Sequence, residues 1–144
     1  MHKELPKEFL RGITSKDFVK NGHVMQNAFQ FDEAEREDNM KEASINWLDD
    51  EGAITVAMNQ RKENGKIQFV AGIARLDLSR VKLILASLPE GLFSYERAPL
   101  PDNEYHGNLL VSNIADKQMR LLISNGLALA AGSNIIEQVS ERTI

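Results

Sequence analysis

The chain contains no cysteine, which excludes disulfides, thiolate nucleophiles and cysteine-based zinc sites while fitting any redox compartment. Histidine is scarce. His2, His23 and His106 share no helical or hairpin spacing and belong to no ligand motif, so neither a metal site nor a cofactor is expected. Long apolar runs are also missing. The best stretch, residues 121–131, is broken by Ser124, Asn125 and Gly126, well short of the roughly 20 residues needed to cross a bilayer. Met1-His2-Lys3-Glu4-Leu5-Pro6 has neither the apolar core nor the cleavage site of a signal peptide. The expectation is a cytoplasmic protein without membrane contact. No repeat and no low-complexity linker divides the chain.

What remains is enough for one compact domain spanning residues 1–144. A chain of this size buries about 70% of the surface its unfolded form exposes and needs no staple. Hydrophobic content of 42% and charged content of 26% are those of an ordinary globular protein. The charge is polarised. Residues 32–51 hold nine acids and two bases, a net of −7, which leaves +3 for the rest of a chain whose total is −4. Such an acidic face opposes phosphate backbones, so direct nucleic-acid binding is not expected and a basic protein partner fits better.

Inside that acidic stretch sits Ser44-Ile45-Asn46-Trp47, with the chain's one tryptophan. An apolar, β-leaning tetrad among solvated acids predicts a short strand or turn at an exposed edge, presenting Trp47 beside Asp49 and Asp50. Elsewhere, Thr14-Ser15 predicts a capped helical turn ending at Asn21-Gly22, residues 23–31 a strand, and residues 32–42 a polar loop. Asp49-Asp50-Glu51 then reads as the cap and first turn of a helix over residues 50–64, closed by Asn64-Gly65. A hairpin across the same Asn-Gly pair is the rival reading. Residues 67–76 predict a strand with Gly72 at a close backbone approach, followed by a helix carrying Val81, Ile84, Leu85 and Leu88. Strands follow at 93–97 and 105–111. The final helix has Ser112 or Asn113 as its cap, Asp116 in its first turn and Gly132 at its end, and its Asn125-Gly126 pair requires either compensating tertiary packing or a neighbour pressed close to the glycine. Residues 135–144 read as a last strand or a frayed end. Strands and helices mix without crossover rhythm. The fold class is therefore α+β, a small, mostly antiparallel sheet covered by two or three helices.

Two constellations carry chemistry. In Asn103-Glu104-Tyr105-His106-Gly107-Asn108, an imidazole beside a carboxylate and a phenol suits acid–base catalysis by His106 and Tyr105. The structural alternative has Tyr105 packed, His106 bonded to a backbone carbonyl, and Gly107 relieving crowding. Arg11-Gly12-Ile13-Thr14 places a guanidinium before a glycine and a helix cap, a local arrangement suited to an anion, although the spacing of a Walker loop is missing. An intramolecular tie is its alternative. The carboxylate pairs Asp49-Asp50-Glu51 and Glu35, Glu37 with Asp38 lie in solvated sequence without the fixed separation that glycoside hydrolysis requires.

Phe9-Leu10-Arg11-Gly12-Ile13, Asn21-Gly22 with Ala28-Phe29, the Ser44–Trp47 tetrad and Tyr105-His106-Gly107-Asn108 together resemble small uncharacterised bacterial proteins. The resemblance implies no activity, but it implies that Arg11, Ser44, Asn46, Trp47 and His106 gather on one surface. Two functions are compatible with these readings. One is a non-catalytic interaction module with Trp47, Asp49 and Asp50 docking a basic protein. The other is a small enzyme or ligand-binding domain for an anionic or nucleotide-like molecule, held by Arg11, Ser44 and Asn46 and served by His106.

Overall fold

The computed structural model describes residues 4–33, 40–112 and 115–138. The expectations for the acids at 34–39, for Asn113 as a cap and for the tail past 138 lie outside those residues.

Strand β1 (Glu8–Gly12) is followed by a single 3-10 turn, Lys16–Phe18, whose preceding Ser15 accepts the Asp17 amide through its hydroxyl at 3.2 Å. Asn21 and Gly22 do more than end that turn. Their φ angles of 53° and 77° form the tight link between β2 (Val19–Lys20) and β3 (His23–Val24), a conformation that an Asn-Gly pair adopts at low cost. The single strand expected over 23–31 is replaced by β3 and a second 3-10 turn, Gln26–Ala28. Strand β4 (Asp32–Glu33) and the longer β5 (Met40–Trp47) then take up both ends of what the sequence suggested was a loop.

Residues 50–64 begin as a helix, as the acids ahead of them suggested, but α1 stops after one turn and a half at Gly52–Met58. The remainder belongs to an irregular strap, residues 59–72, crossed by a bridge between Arg61 and Ile67. Strand β6 therefore starts at Ile73 and runs to Asp77. Gly72 has a φ of 101°, and a Cβ there would lie 2.5 Å from the Ile136 carbonyl, which is the close approach that required glycine. Asp77 caps α2 (Leu78–Ile84) by accepting the Arg80 amide at 3.0 Å, and β7 (Phe93–Arg97) and β8 (His106–Ser112) fall within a residue or so of the predicted spans. Helix α3 (Lys117–Ala131) is capped by Asp116 and ends at Gly132, with Leu85 and Ile84 of the α2 segment pressed against Gly126. A short β9 (Ile135–Ile136) completes the described chain.

The strands form one antiparallel sheet in the order β7-β8-β5-β1-β6-β9, with β4 added to β5, so the fold is α+β. Alternation along β5 sets the layers. Ala43, Ile45 and Trp47 join the main core with Phe9, Leu76, Leu109, Ile123 and Leu127, while Ser44 and Asn46 face the other way. Helices α2 and α3 cover the core face. On the opposite face α1 and the strap cover one end only, over a smaller cluster of Leu10, Ala53, Ala57, Ile73 and Tyr105.

This arrangement corrects the expectation for the tetrad. Ser44–Trp47 lies in mid-sheet between β8 and β1, and Trp47 is 0% exposed. Its indole meets Phe9 and Tyr95 edge-on and donates its N–H to the Glu96 carbonyl at 3.1 Å. Asp49 and Asp50 follow the end of β5, where Asp49 pairs with Arg97 and Asp50 accepts from Tyr105. No helix among the described residues is long and apolar enough to cross a membrane.

Candidate functional site

The uncovered part of the sheet holds a cavity of about 630 Å³, within the range typical of small-molecule sites, roughly 300–1,000 Å³. Its floor follows from register. Leu10 on β1, Asn46 on β5 and His106 on β8 form one row across three strands, and Ser44 stands one step along the same face.

Arg11 sits where the sheet divides. Strand β1 pairs with β5 only at Phe9 and Leu10, while β4 takes up the same edge of β5 at Lys41 and Glu42. Between these pairings the β5 edge has no neighbouring strand, and the Arg11 guanidinium crosses the gap. Its Nη1 donates to the Ser44 carbonyl at 2.7 Å and its Nε to the Ala28 carbonyl at 2.9 Å. Arg11 thus replaces a missing stretch of ladder and simultaneously places a permanent positive charge in the cavity wall. The sequence reading offered an anion site or an intramolecular tie. The tie is present, and it includes the Ser44 and Ala28 carbonyls.

His106 donates from Nδ1 to the Ala98 carbonyl, 2.8 Å away, because only a protonated Nδ1 can bond a carbonyl oxygen. In the neutral ring Nε2 is then the acceptor, and on protonation it becomes a donor. The ring is oriented by backbone, a useful property for a group that contacts ligand. No hydrogen bond joins it to the Ser44 hydroxyl, and the two stand diagonally on neighbouring strands, so the described residues hold no serine–histidine dyad. Asn46, 6% exposed, accepts from the Asn103 amide at 2.7 Å, and Asn103 in turn accepts the Tyr105 amide at 3.1 Å, which locks the turn ahead of β8.

Tyr105 is not brought together with His106. Its ring packs in the smaller cluster, and its hydroxyl donates to Asp50 at 2.7 Å. That bond comes first among the causes that hold its pKa up at about 12, followed by burial and by the negative charges of Asp50 and Glu104. A phenol held protonated in this way is a poor general base at neutral pH, and Tyr105 is a structural residue. Gly107 does relieve crowding, since a Cβ there would fall 2.2 Å from the Trp47 indole nitrogen.

The proposed docking residues are likewise occupied. Asp49 receives both Nη1 and Nη2 of Arg97, at 2.9 and 2.7 Å, with 8% of its side chain exposed. The Arg97 guanidinium also donates to the Glu4 carbonyl and lies 5.9 Å from the Trp47 ring centre. Asp50 is exposed but accepts from Tyr105 and from the Gly52 amide at the start of α1. Of the residues expected to share a surface, Arg11, Ser44, Asn46 and His106 line the cavity and Trp47 lies beneath the opposite face.

Sequence reading missed much of the wall. Gln60, Gln68 and Phe69 come from the strap, Asn27 from the second 3-10 turn, Gln30 from the segment after it, and Glu42 from β5. Most of them occupy irregular backbone, where no periodicity marks them. One signal was available in Gly12, where a Cβ would fall 2.2 Å from the Phe69 ring.

The two tyrosines of the chain give a direct check on this geometry. Burial pushes Tyr95 up to about 12, and Tyr105 reaches about the same value. Both folded pKa values lie above the unfolded value of about 10, so the associated stability is complete below pH about 10 and is lost as pH rises through about 12. Ultraviolet titration of the folded protein should show both phenols ionising late, with alkaline unfolding in the same window. Two phenols titrating near 10 without unfolding would contradict the placement.

Fold and site together define an α+β domain with a polar cavity on its uncovered sheet face. Comparison of the chain with protein-family models, with curated proteins and with solved structures finds no match.

Proposed function

We propose that this protein is a binding domain for a small anionic molecule, held in the sheet-face cavity. The observation that carries the reading is convergence: Arg11, Ser44, Asn46 and His106, from three strands, line one cavity. Arg11 supplies fixed positive charge, His106 supplies an imidazole already oriented by Ala98, and the Ser44 hydroxyl stands exposed between them in sequence order along β5 and β8. A site whose polar groups are fixed before the ligand arrives loses less entropy on binding. The protein-docking alternative required an exposed indole as its anchor, and the buried Trp47 cannot serve as one.

Calorimetric titration with inorganic phosphate, ribose 5-phosphate and citrate tests the proposal. At least one of these should bind, and His106→Ala should weaken it by about tenfold or more, equivalent to about 1.4 kcal/mol. Ser44→Ala should have a smaller effect in the same direction. Arg11→Lys keeps the charge but loses the bridge across the fork, so its fold must be checked by circular dichroism first. Absence of binding by all three anions, or equal binding by the His106 variant, would remove the proposal.

A further inference from the structure

We infer that the anion taken by this cavity is a free ribonucleotide, with its base on Phe69, its ribose hydroxyls at Glu42 and its phosphate towards Arg11 and His106. The inference rests on the anion-binding reading above and specifies its ligand.

Four features of the wall correspond to the parts of such a molecule. The first is an aromatic platform. Phe69 lies across Gly12, with Cγ, Cδ1 and Cε1 of its ring all within 2.4 Å of where a Cβ would stand, so the bare strand allows the ring to settle onto the sheet. Its own backbone is fixed, because the Phe69 carbonyl accepts from the Gly72 amide at 3.1 Å and from the Gln138 side chain at 3.2 Å. A held ring lining a cavity suits stacking by a planar, polar heterocycle.

The second is a pair of carboxamides beside that platform. Gln68 precedes Phe69, and its amide donates to the Gln60 carbonyl at 2.9 Å, which brings the two glutamine side chains to the same stretch of wall. A carboxamide offers a donor and an acceptor in one plane, the pattern that pairs with the edge of a base. The third is Glu42. A carboxylate in an anion site opposes bare phosphate, yet it is well suited to accept hydroxyl protons from a ribose, as acidic residues do in dinucleotide folds. The fourth is the positive charge of Arg11 with the fixed ring of His106, whose Nε2 donates when the imidazole is protonated. An inorganic anion would use only the last of these four, and a sugar phosphate would leave the aromatic platform unused.

Ligand-observed NMR and calorimetry with adenosine, guanosine, cytidine and uridine monophosphates, set beside ribose 5-phosphate and a 5′-phosphorylated dinucleotide, test the assignment. At least one mononucleotide should bind about tenfold or more tighter than ribose 5-phosphate, and no more weakly than the dinucleotide. Phe69→Ala should abolish that advantage, a loss of roughly tenfold to a hundredfold in mononucleotide affinity that exceeds any loss for ribose 5-phosphate. Gln68→Ala, remote from the core, should narrow the preference among the four bases and guards against a misfolded Phe69 variant. Equal binding of mononucleotides and ribose 5-phosphate overturns the base assignment and leaves the anion reading standing. Tighter binding of the dinucleotide overturns the free-nucleotide assignment. Failure of every phosphate to bind overturns both.

Discussion

Replacing Trp47 with alanine is expected to destabilise the protein severely rather than to release a partner. The indole is fully buried, contacts Phe9 and Tyr95, and satisfies the Glu96 carbonyl. Truncating a buried tryptophan costs about 3–5 kcal/mol through lost transfer energy and the cavity left behind. The lost bond to the Glu96 carbonyl adds to that, and whole domains of this size have only about 5–15 kcal/mol of stability. Urea denaturation should show a midpoint shifted strongly downward with a similar slope. The native chain should in turn show the blue-shifted emission and slow acrylamide quenching of an enclosed indole. A stable, well-folded Trp47→Ala variant would mean that the ring lies outside the core.

The second large effect is expected at Arg97. Its guanidinium neutralises Asp49, supports the Glu4 carbonyl and covers the edge of Trp47, and its own pKa is raised chiefly by the hydrogen bond to Asp49. Removing one partner of a nearly buried pair takes a bidentate partner from the other charge, at a cost of up to about 3–5 kcal/mol. Arg97→Ala should therefore approach Trp47→Ala in severity. Asp49→Ala should cost less, because Arg97 is the more exposed partner and keeps its bond to Glu4. Thermal unfolding of both variants and of the double variant gives the coupling energy directly. A coupling near zero would reduce the pair to an ordinary surface bridge. Charge reversal at Asp49 thus tests the stability of the sheet rather than a docking surface.

The comparison of these residues shows what the linear chain discloses. Elements whose cause is local were readable: the Ser15 cap, the Gly132 stop and the strand at 93–97, with a close neighbour at Gly126 as one of two readings there. Trp47 was misread because the acids around it were counted as its environment. Period-two alternation in Ala43-Ser44-Ile45-Asn46-Trp47 already separated a polar face from an apolar one, and the acids decide nothing about the apolar side. The Arg97–Asp49 pair spans 48 residues and leaves no local trace. For the cavity, Ser44 and Asn46 were read in a short strand or turn, His106 at a strand entry and Arg11 before a glycine and a helix cap. Gln60, Gln68 and Phe69 were not legible as cavity residues, since they lie on a strap whose path is set by distant bonds such as that from Gln138 to the Phe69 carbonyl.

The position of β1 also governs how the molecule can be assembled. The first of the described strands ends up near the middle of the sheet, with Phe9 between Trp47 and Leu76. Neither flank exists when Phe9 emerges, and the second is not complete until Asp77 has been synthesised. Synthesis at about 5–20 residues per second leaves that strand waiting for several seconds as an unpaired hydrophobic segment, and sheets rich in such distant pairings also fold slowly. The early nascent chain is therefore the stage at which this protein most needs a chaperone.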